Sequence, residues 1–335
     1  MDLASVIEWV IKAFVLVLLL TGGFAYTTYY ERRLLARMQV RIGPNRAGPM
    51  GLLQPIADAV KLIFKEQLTP AAADKPIYFL APIITVIPAL IVLGVVPFGG
   101  TITLFGRQIN LYIADVNVAV LYILSVTSIS VYGITLAGWS SNNKYATLGG
   151  LRATSQMMSY ELSLGLSYMG AILLTGSMSI VDIVNAQKNI PFALLQPVSF
   201  IIYLLASLAE INRAPFDMPE AEQELTAGYH TEYSGMKFAL FFMAEYIKMI
   251  AIAVIGASLF LGGYRGPLVD TYPLLGPVYL LIKVVIWLGV IIWLRATLPR
   301  IRYDRLMMLE WKIVFPLSLA NVLVTAIVLV LVGGK

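Results

Sequence analysis

The chain has 335 residues, of which 59% are hydrophobic and 13% charged, with a mean hydropathy of +0.81. Apolar runs of about 20 residues recur from end to end, the composition of a polytopic membrane protein and not of an ordinary soluble core. There is no cysteine and one histidine, His230, which excludes protein-ligated iron–sulfur clusters, thioether-attached haem, disulfides and the paired axial ligands of a membrane cytochrome b. Any redox role therefore needs an organic substrate or electrons delivered by another subunit.

The first apolar run, Trp9 to Tyr29, is too long for a signal-peptide core and lacks a small-residue cleavage site, so it is expected to be a retained span. Further spans are expected at 78–97, 114–138, 155–175, 191–210, 237–262, 275–294 and 313–332. The fold class is thus an all-α polytopic membrane protein, with about eight transmembrane helices in a single domain over 1–335. The net charge is +5, and 17 of the 24 Lys and Arg fall in alternate loops. That is the positive-inside pattern and not a nucleic-acid patch; it places both termini outside and the large loops, 30–77, 210–236 and 295–312, in the cytoplasm. No internal repeat supports an inverted-repeat transporter.

Within the first loop, GLLQPIADAVKLIFKEQ places Leu52, Leu53, Ile56, Val60, Ile63 and Phe64 at helical spacing, with Gln54, Asp58, Lys61 and Lys65 on the other side. It is too short and too charged to span, and is expected to lie at the membrane surface as an interfacial amphipathic helix or to seal against a partner.

Several ionisable groups fall inside spans, where a central charge costs about 2.5–3.5 kcal/mol. Glu161 lies in span four, Glu245 and Lys248 in span six, and Lys283 in span seven. Glu245 and Lys248 are three apart and share a helix face, which allows a packing ion pair. Glu161 has no base within a turn and is the better candidate for a group that gains and loses a proton.

The stretch EINRAPFDMPEAEQELTAGYHTEYSGM, Glu210 to Met236, holds six carboxylates and one arginine. Glu220, Glu222 and Glu224 alternate after Pro215 and Pro219, with Glu232 beyond. Like charges this close raise one another's pKa values, so some stay protonated near neutral pH and can exchange protons. Phe216, Tyr229, His230 and Tyr233 in the same loop suit a packed lining better than a solvated strand. Nucleophile and metal motifs such as G-x-S-x-G and H-E-x-x-H are absent from the sequence, as is a phosphate loop.

Four blocks, YERRLLARMQVRIGPNRAGPMGLLQPIADAVKLIFKE, LAGWSSNNKYATLGGLRATSQMMSYE, the acidic stretch continued to FALFFMAEY, and RATLPRIRYDRLMMLEWK, resemble the H subunit (subunit 1) of proton-translocating NADH:quinone oxidoreductase, respiratory complex I. The resemblance covers essentially the whole chain. Departures such as Met218 and Gln223 replace one uncharged residue by another. The resemblance implies a multi-pass component of a bacterial plasma or inner membrane that joins the electron-carrying hydrophilic arm to the membrane arm and forms much of the quinone tunnel. It assigns Arg32, Arg41, Arg46, Asp58, Phe216, Arg295 and Arg300 to the tunnel. It assigns Glu161, Glu210, Glu220, Glu222, Glu224 and Glu245 to a carboxylate chain leading into the membrane. The implied partners are other complex I membrane subunits, quinone-site subunits of the hydrophilic arm and membrane lipid, with no nucleic acid. Quinone is the implied substrate, with no covalently bound or metal cofactor in this chain and no activity of the chain alone. Two alternatives are a homologous component of an energy-converting hydrogenase-type complex and a stand-alone ion or solute transporter.

Overall fold

The computed structural model describes residues 3–104, 107–217 and 228–333. Met218, Glu220, Glu222, Gln223 and Glu224 therefore lie outside the described residues. Helix α1 (Leu3–Met38) has 36 residues, about 54 Å at 1.5 Å per residue, and so outruns a bilayer core of about 30 Å. Its last turns carry Glu31, Arg32 and Arg33 beyond the apolar stretch, where hydropathy alone suggests a loop. The short α2 (Gln54–Phe64) follows, then α3 (Lys75–Ile91). A small antiparallel hairpin, β1 (Thr101–Leu104) and β2 (Arg107–Asn110), pairs Thr101 with Asn110.

Helix α4 (Ala119–Ser140) leads to α5 (Lys144–Thr175), whose start is capped by Asn143 accepting from the Tyr145 amide at 2.9 Å. Gly176 ends α5 in the left-handed region, φ 70°, which glycine enters without a Cβ clash. Then come α6 (Ile180–Ala186), α7 (Phe192–Leu195), α8 (Pro197–Glu210) and α9 (Gly235–Phe260). The chain finishes with α10 (Leu275–Thr297), α11 (Tyr303–Leu309), a π turn at Glu310–Val314 and α12 (Phe315–Gly333).

By length and composition seven of these segments can cross a membrane among the described residues, and Pro197–Glu210 is a shorter apolar helix. The all-α polytopic expectation holds, but the fifth span is broken. Its 14 residues reach only about 21 Å, and the break at Gln196 separates α7 from α8. The Gln196 amide is used at the break: it donates to Thr325 Oγ1 at 2.8 Å and accepts from Asn321 Nδ2 at 3.2 Å, both on α12. Interhelical amide and hydroxyl bonds of this kind satisfy polar groups that lipid cannot.

Helix α9 is the centre of the bundle, with every residue from Tyr246 to Phe260 buried. Helices α3, α10 and α1 pack most closely around it, and α4 packs in turn on α3 and α5. At Gly133 of α4 a Cβ would stand 2.1 Å from Thr85 Oγ1 and 2.9 Å from the Ala81 carbonyl oxygen, so only glycine permits the α3–α4 approach. Helices α1 and α12 lie at the periphery and expose large apolar side chains such as Phe14, Leu19, Val330 and Leu331. Lys283 in α10 donates to the carbonyls of Leu261, Gly263 and Arg265, each at 2.7 Å. It satisfies the carbonyls just beyond the C-terminus of α9, a structural use of a charge inside a span.

Candidate functional site

The end of α8 turns sharply because Asn212 adopts a positive φ of 52°, a conformation asparagine tolerates better than most residues. The buried Gln156 side chain of α5 holds that turn by donating to the carbonyls of Ala209 and Phe216, each at 2.8 Å, and to Asn212 Oδ1 at 3.1 Å. Phe216 is 2% exposed and packs on the Tyr160 ring, 5.8 Å between centroids, and the Pro215 carbonyl accepts from the Ile301 amide at 3.0 Å. The turn thereby brings Arg213 into the protein and Asp217 to the basic segment after α10.

Arg213 is the hub of a buried charge cluster. Its Nη1 lies 3.2 Å from Glu31 Oε1 of α1, its Nε lies 2.5 Å from Glu245 Oε1 of α9, and its guanidinium carbon stands 4.5 Å from the Tyr246 ring centroid. Arg295, in the last turn of α10, contacts the same Glu31 oxygen. Burial works against the Arg213 charge, but Glu245 and Glu31 override it and hold the guanidinium above its ordinary pKa. Arg300 Nη2 meets Asp217 Oδ2 at 3.2 Å. Burial pushes the Asp217 carboxyl above its usual range, against the pull of Arg300 and Arg295.

Arg32 Nη1 lies 2.6 Å from Asp58 Oδ2, and Gln54 Nε2 donates to the other Asp58 oxygen at 3.1 Å, so this pair ties the end of α1 to α2. Arg41 and Arg46 are exposed on the segment between α1 and α2, with Arg41 donating to Gln39 at 2.7 Å, and they do not join the buried cluster. The polar side of α2 is thus anchored, whereas Ile56, Val60, Ile63 and Phe64 face outward at 58%, 47%, 56% and 84% exposure.

Deeper in the bundle, the Ser128 hydroxyl of α4 donates to Glu161 of α5. Glu210 is 6% exposed at the end of α8, and its Oε2 is buried without a hydrogen-bond partner among the described residues. The Glu245–Lys248 pair that helical spacing allows is not made. Glu245 takes Arg213 instead, because the turn after α8 presents a guanidinium that reaches it with better geometry than a lysine on its own helix.

The far end of the acidic stretch is also packed. Tyr229 and Tyr233 are buried, Tyr233 stacks on Tyr78 with 4.1 Å between centroids, and Asn143 Nδ2 donates to Glu232 Oε1 at 2.6 Å. Gly149 touches this segment so closely that a Cβ would stand 2.7 Å from Gly228 Cα.

A match to the NADH dehydrogenase family spans residues 11–326 of the chain. The chain belongs to that family. It is 50% identical to the H subunit of NADH-quinone oxidoreductase from Thermomicrobium roseum, over 98% of this chain and 98% of the relative. It is 51% identical to an H subunit of the same enzyme from Syntrophobacter fumaroxidans, over 90% and 89%, and 50% identical to that of Protochlamydia amoebophila, over 90% and 91%. Full-length similarity at this level makes the chain an H subunit of complex I and a multi-pass component of an oxidoreductase assembly.

Three acids of this H subunit escape sequence reasoning. Glu31 sits beside Arg32 and Arg33 in a block whose character is basic, although an acid on the final turns of a long helix is a signal in itself. Asp217 counts among the carboxylates of the acidic stretch, where nothing nearby marks its partner. Glu310, 1% exposed at the π turn, accepts from the Ser163 hydroxyl; the block LEWK containing it carries no indication of burial.

Proposed function

We propose that this H subunit forms much of the wall of the quinone tunnel, docks the hydrophilic arm onto the membrane arm and couples quinone reduction to proton translocation. The observation that carries the reading is a succession of ionisable groups running inward from the cytoplasmic ends of α1 and α10 to the middle of the bundle. Arg32 and Asp58 stand at the edge, then Arg295, Glu31, Arg213 and Glu245, then Lys248, Glu210 and Glu161. Charges at this depth are costly and are characteristic of ion and proton paths.

Reduction of a quinone to a quinol takes up two electrons and two protons. Electrons reach the headgroup from centres on other subunits, since this chain has no cysteine to hold a cluster. A change of charge at the headgroup acts strongly on nearby guanidinium and carboxylate groups in a low-dielectric setting, and coupled acids answer by redistributing protons. The outward apolar face of α2 supplies a surface for an isoprenoid tail or for lipid. The partners are the other membrane subunits and the quinone-site subunits of the hydrophilic arm, and the site of action is a bacterial plasma or inner membrane. The quinone-oxidoreductase names of all three relatives favour this reading over a hydrogenase-type complex or a transporter.

Glu161 tests the relay. Glutamine keeps the size and much of the hydrogen bonding to Ser128 but cannot ionise. Glu161→Gln is expected to assemble yet lose most proton pumping and tightly coupled quinone reduction, while Glu161→Asp retains part of both. Quinone-dependent NADH oxidation is measured with membrane-potential formation in vesicles, and complex content is checked on a native gel. Full pumping by an assembled Gln variant would leave Glu161 as a packing residue.

A further inference from the structure

Lys248 stands in that succession of buried charges without an assigned step. It is 8% exposed on α9 and, with Glu245 committed to Arg213, makes no ion pair within 4.0 Å among the described residues. Its ammonium lies instead within electrostatic reach of Glu210, Glu245 and Glu161, contributed by α8, α9 and α5. Of the other acids on helices packed against α9, Glu31 on α1 pairs with Arg213 and Arg295, Glu8 on α1 with Lys12 and Asp58 on α2 with Arg32, while Asp182 on α6 accepts from the Ser177 hydroxyl at 2.7 Å.

Lys248 and Glu210 line one narrow cavity of about 20 Å³ together with Thr127, Ser130 and Tyr168. About 10–15 Å³ suffices for one water, provided two or more polar groups receive it. Those groups are in place. Glu210 Oε2 is a buried acceptor with no hydrogen-bond partner among the described residues. Thr127 and Ser130 donate their hydroxyl protons to carbonyls of their own helix, at 3.0 Å to Leu124 and 2.6 Å to Thr127, which leaves their oxygens free to accept. Lys248 supplies the donor.

We propose that Lys248 is a positioning residue of the proton path, the shared counter-charge of Glu210, Glu161 and Glu245, bridged to Glu210 by a single water in this cavity. This rests on the relay reading and adds to it a binding site and a charge that steers it. The water holds Glu210 in hydrogen-bonded contact with the ammonium, which keeps its three protons throughout while the Glu210 carboxyl gains and loses the proton of the relay. The fixed positive charge favours the form in which one of the acids is ionised and therefore ready to receive a proton.

The test uses the whole complex in native membrane vesicles, with Lys248→Met, Lys248→Gln and Lys248→Arg, and NADH oxidation by an artificial acceptor as the measure of assembled enzyme. Without the positive charge the acids hold their protons more tightly. The acid limb of quinone-dependent NADH oxidation is then expected to move to higher pH by about one unit in an assembled neutral variant, with pumping reduced at neutral pH. Lys248→Arg is expected to keep the parent profile. An unmoved limb in an assembled Met or Gln variant would overturn the proposal. So would failure of both neutral variants to assemble beside a normal Arg variant, because the charge would then serve packing. Full pumping in Glu161→Gln would take Glu161 out of the relay, whereas lost pumping there beside an unmoved Lys248→Met profile would sink the lysine's part alone.

Discussion

Arg213 and Arg295 both contact Glu31, yet their surroundings differ. The Arg213 side chain is 5% exposed and serves two carboxylates, while that of Arg295 is 37% exposed and serves one. Removing Arg213 leaves Glu31 with Arg295 alone and Glu245 without its guanidinium, and breaking a buried pair in this way costs about 3–5 kcal/mol. Arg213→Met is expected to lower the amount of assembled complex on a native gel. Arg295→Met leaves Glu31 paired with Arg213, so the complex should assemble normally. It should lose quinone reductase activity, while electron transfer from NADH to an artificial acceptor persists, because a guanidinium in a narrow apolar passage is either paired or aimed at the passing headgroup. Unchanged quinone kinetics in the assembled Arg295 variant would refute its place on the quinone path. Sequence marks Arg295 as a candidate, but its partner is not legible there. Glu31 lies 264 residues away, a pairing that only the packing of α1 against α10 creates.

At the scale of elements, α2 is legible as a helix with one apolar and one polar face. Its apolar residues recur at helical spacing, its polar residues fall opposite, and the structure anchors the polar side through Arg32 and Asp58 while the apolar side faces outward. A charge on that outward face would meet lipid, tail or partner. Ile56→Asp or Phe64→Asp is therefore expected to impair turnover with long-tailed quinones several-fold more than with short-tailed analogues, measured as KM and kcat for each class in membranes. Equal effects would reduce α2 to an anchor. The fifth span shows the opposite case. Residues 191–210 read as one apolar run, but the chain breaks at Gln196, whose hydrogen-bond partners on α12 are 125 and 129 residues away. A hydropathy window registers one polar residue in an apolar stretch, and the distant amide and hydroxyl that reward a break there are invisible to it.

At the scale of the whole molecule, the chain supplies charged and apolar surfaces without any cysteine-held redox centre of its own. Expressed and purified alone, it is expected to catalyse neither NADH oxidation nor quinone reduction, and from native membranes to copurify with the subunits that carry the clusters; activity of the isolated chain in either assay would contradict its place as a dependent component. By itself the sequence determined that the protein is a multi-pass helical bundle, that several acids and bases lie inside it, and that it is an H subunit of complex I. These properties are local: hydropathy, helical spacing and contiguous motifs are each carried by neighbouring residues. The tertiary structure alone decided which charges meet. It gave Glu245 to Arg213 instead of Lys248, placed Glu31 between two arginines from distant segments, and set Lys248 and Glu210 on one small cavity. Buried charges pair by the geometry and desolvation of the packed helices, and those are set by contacts between residues far apart in the chain.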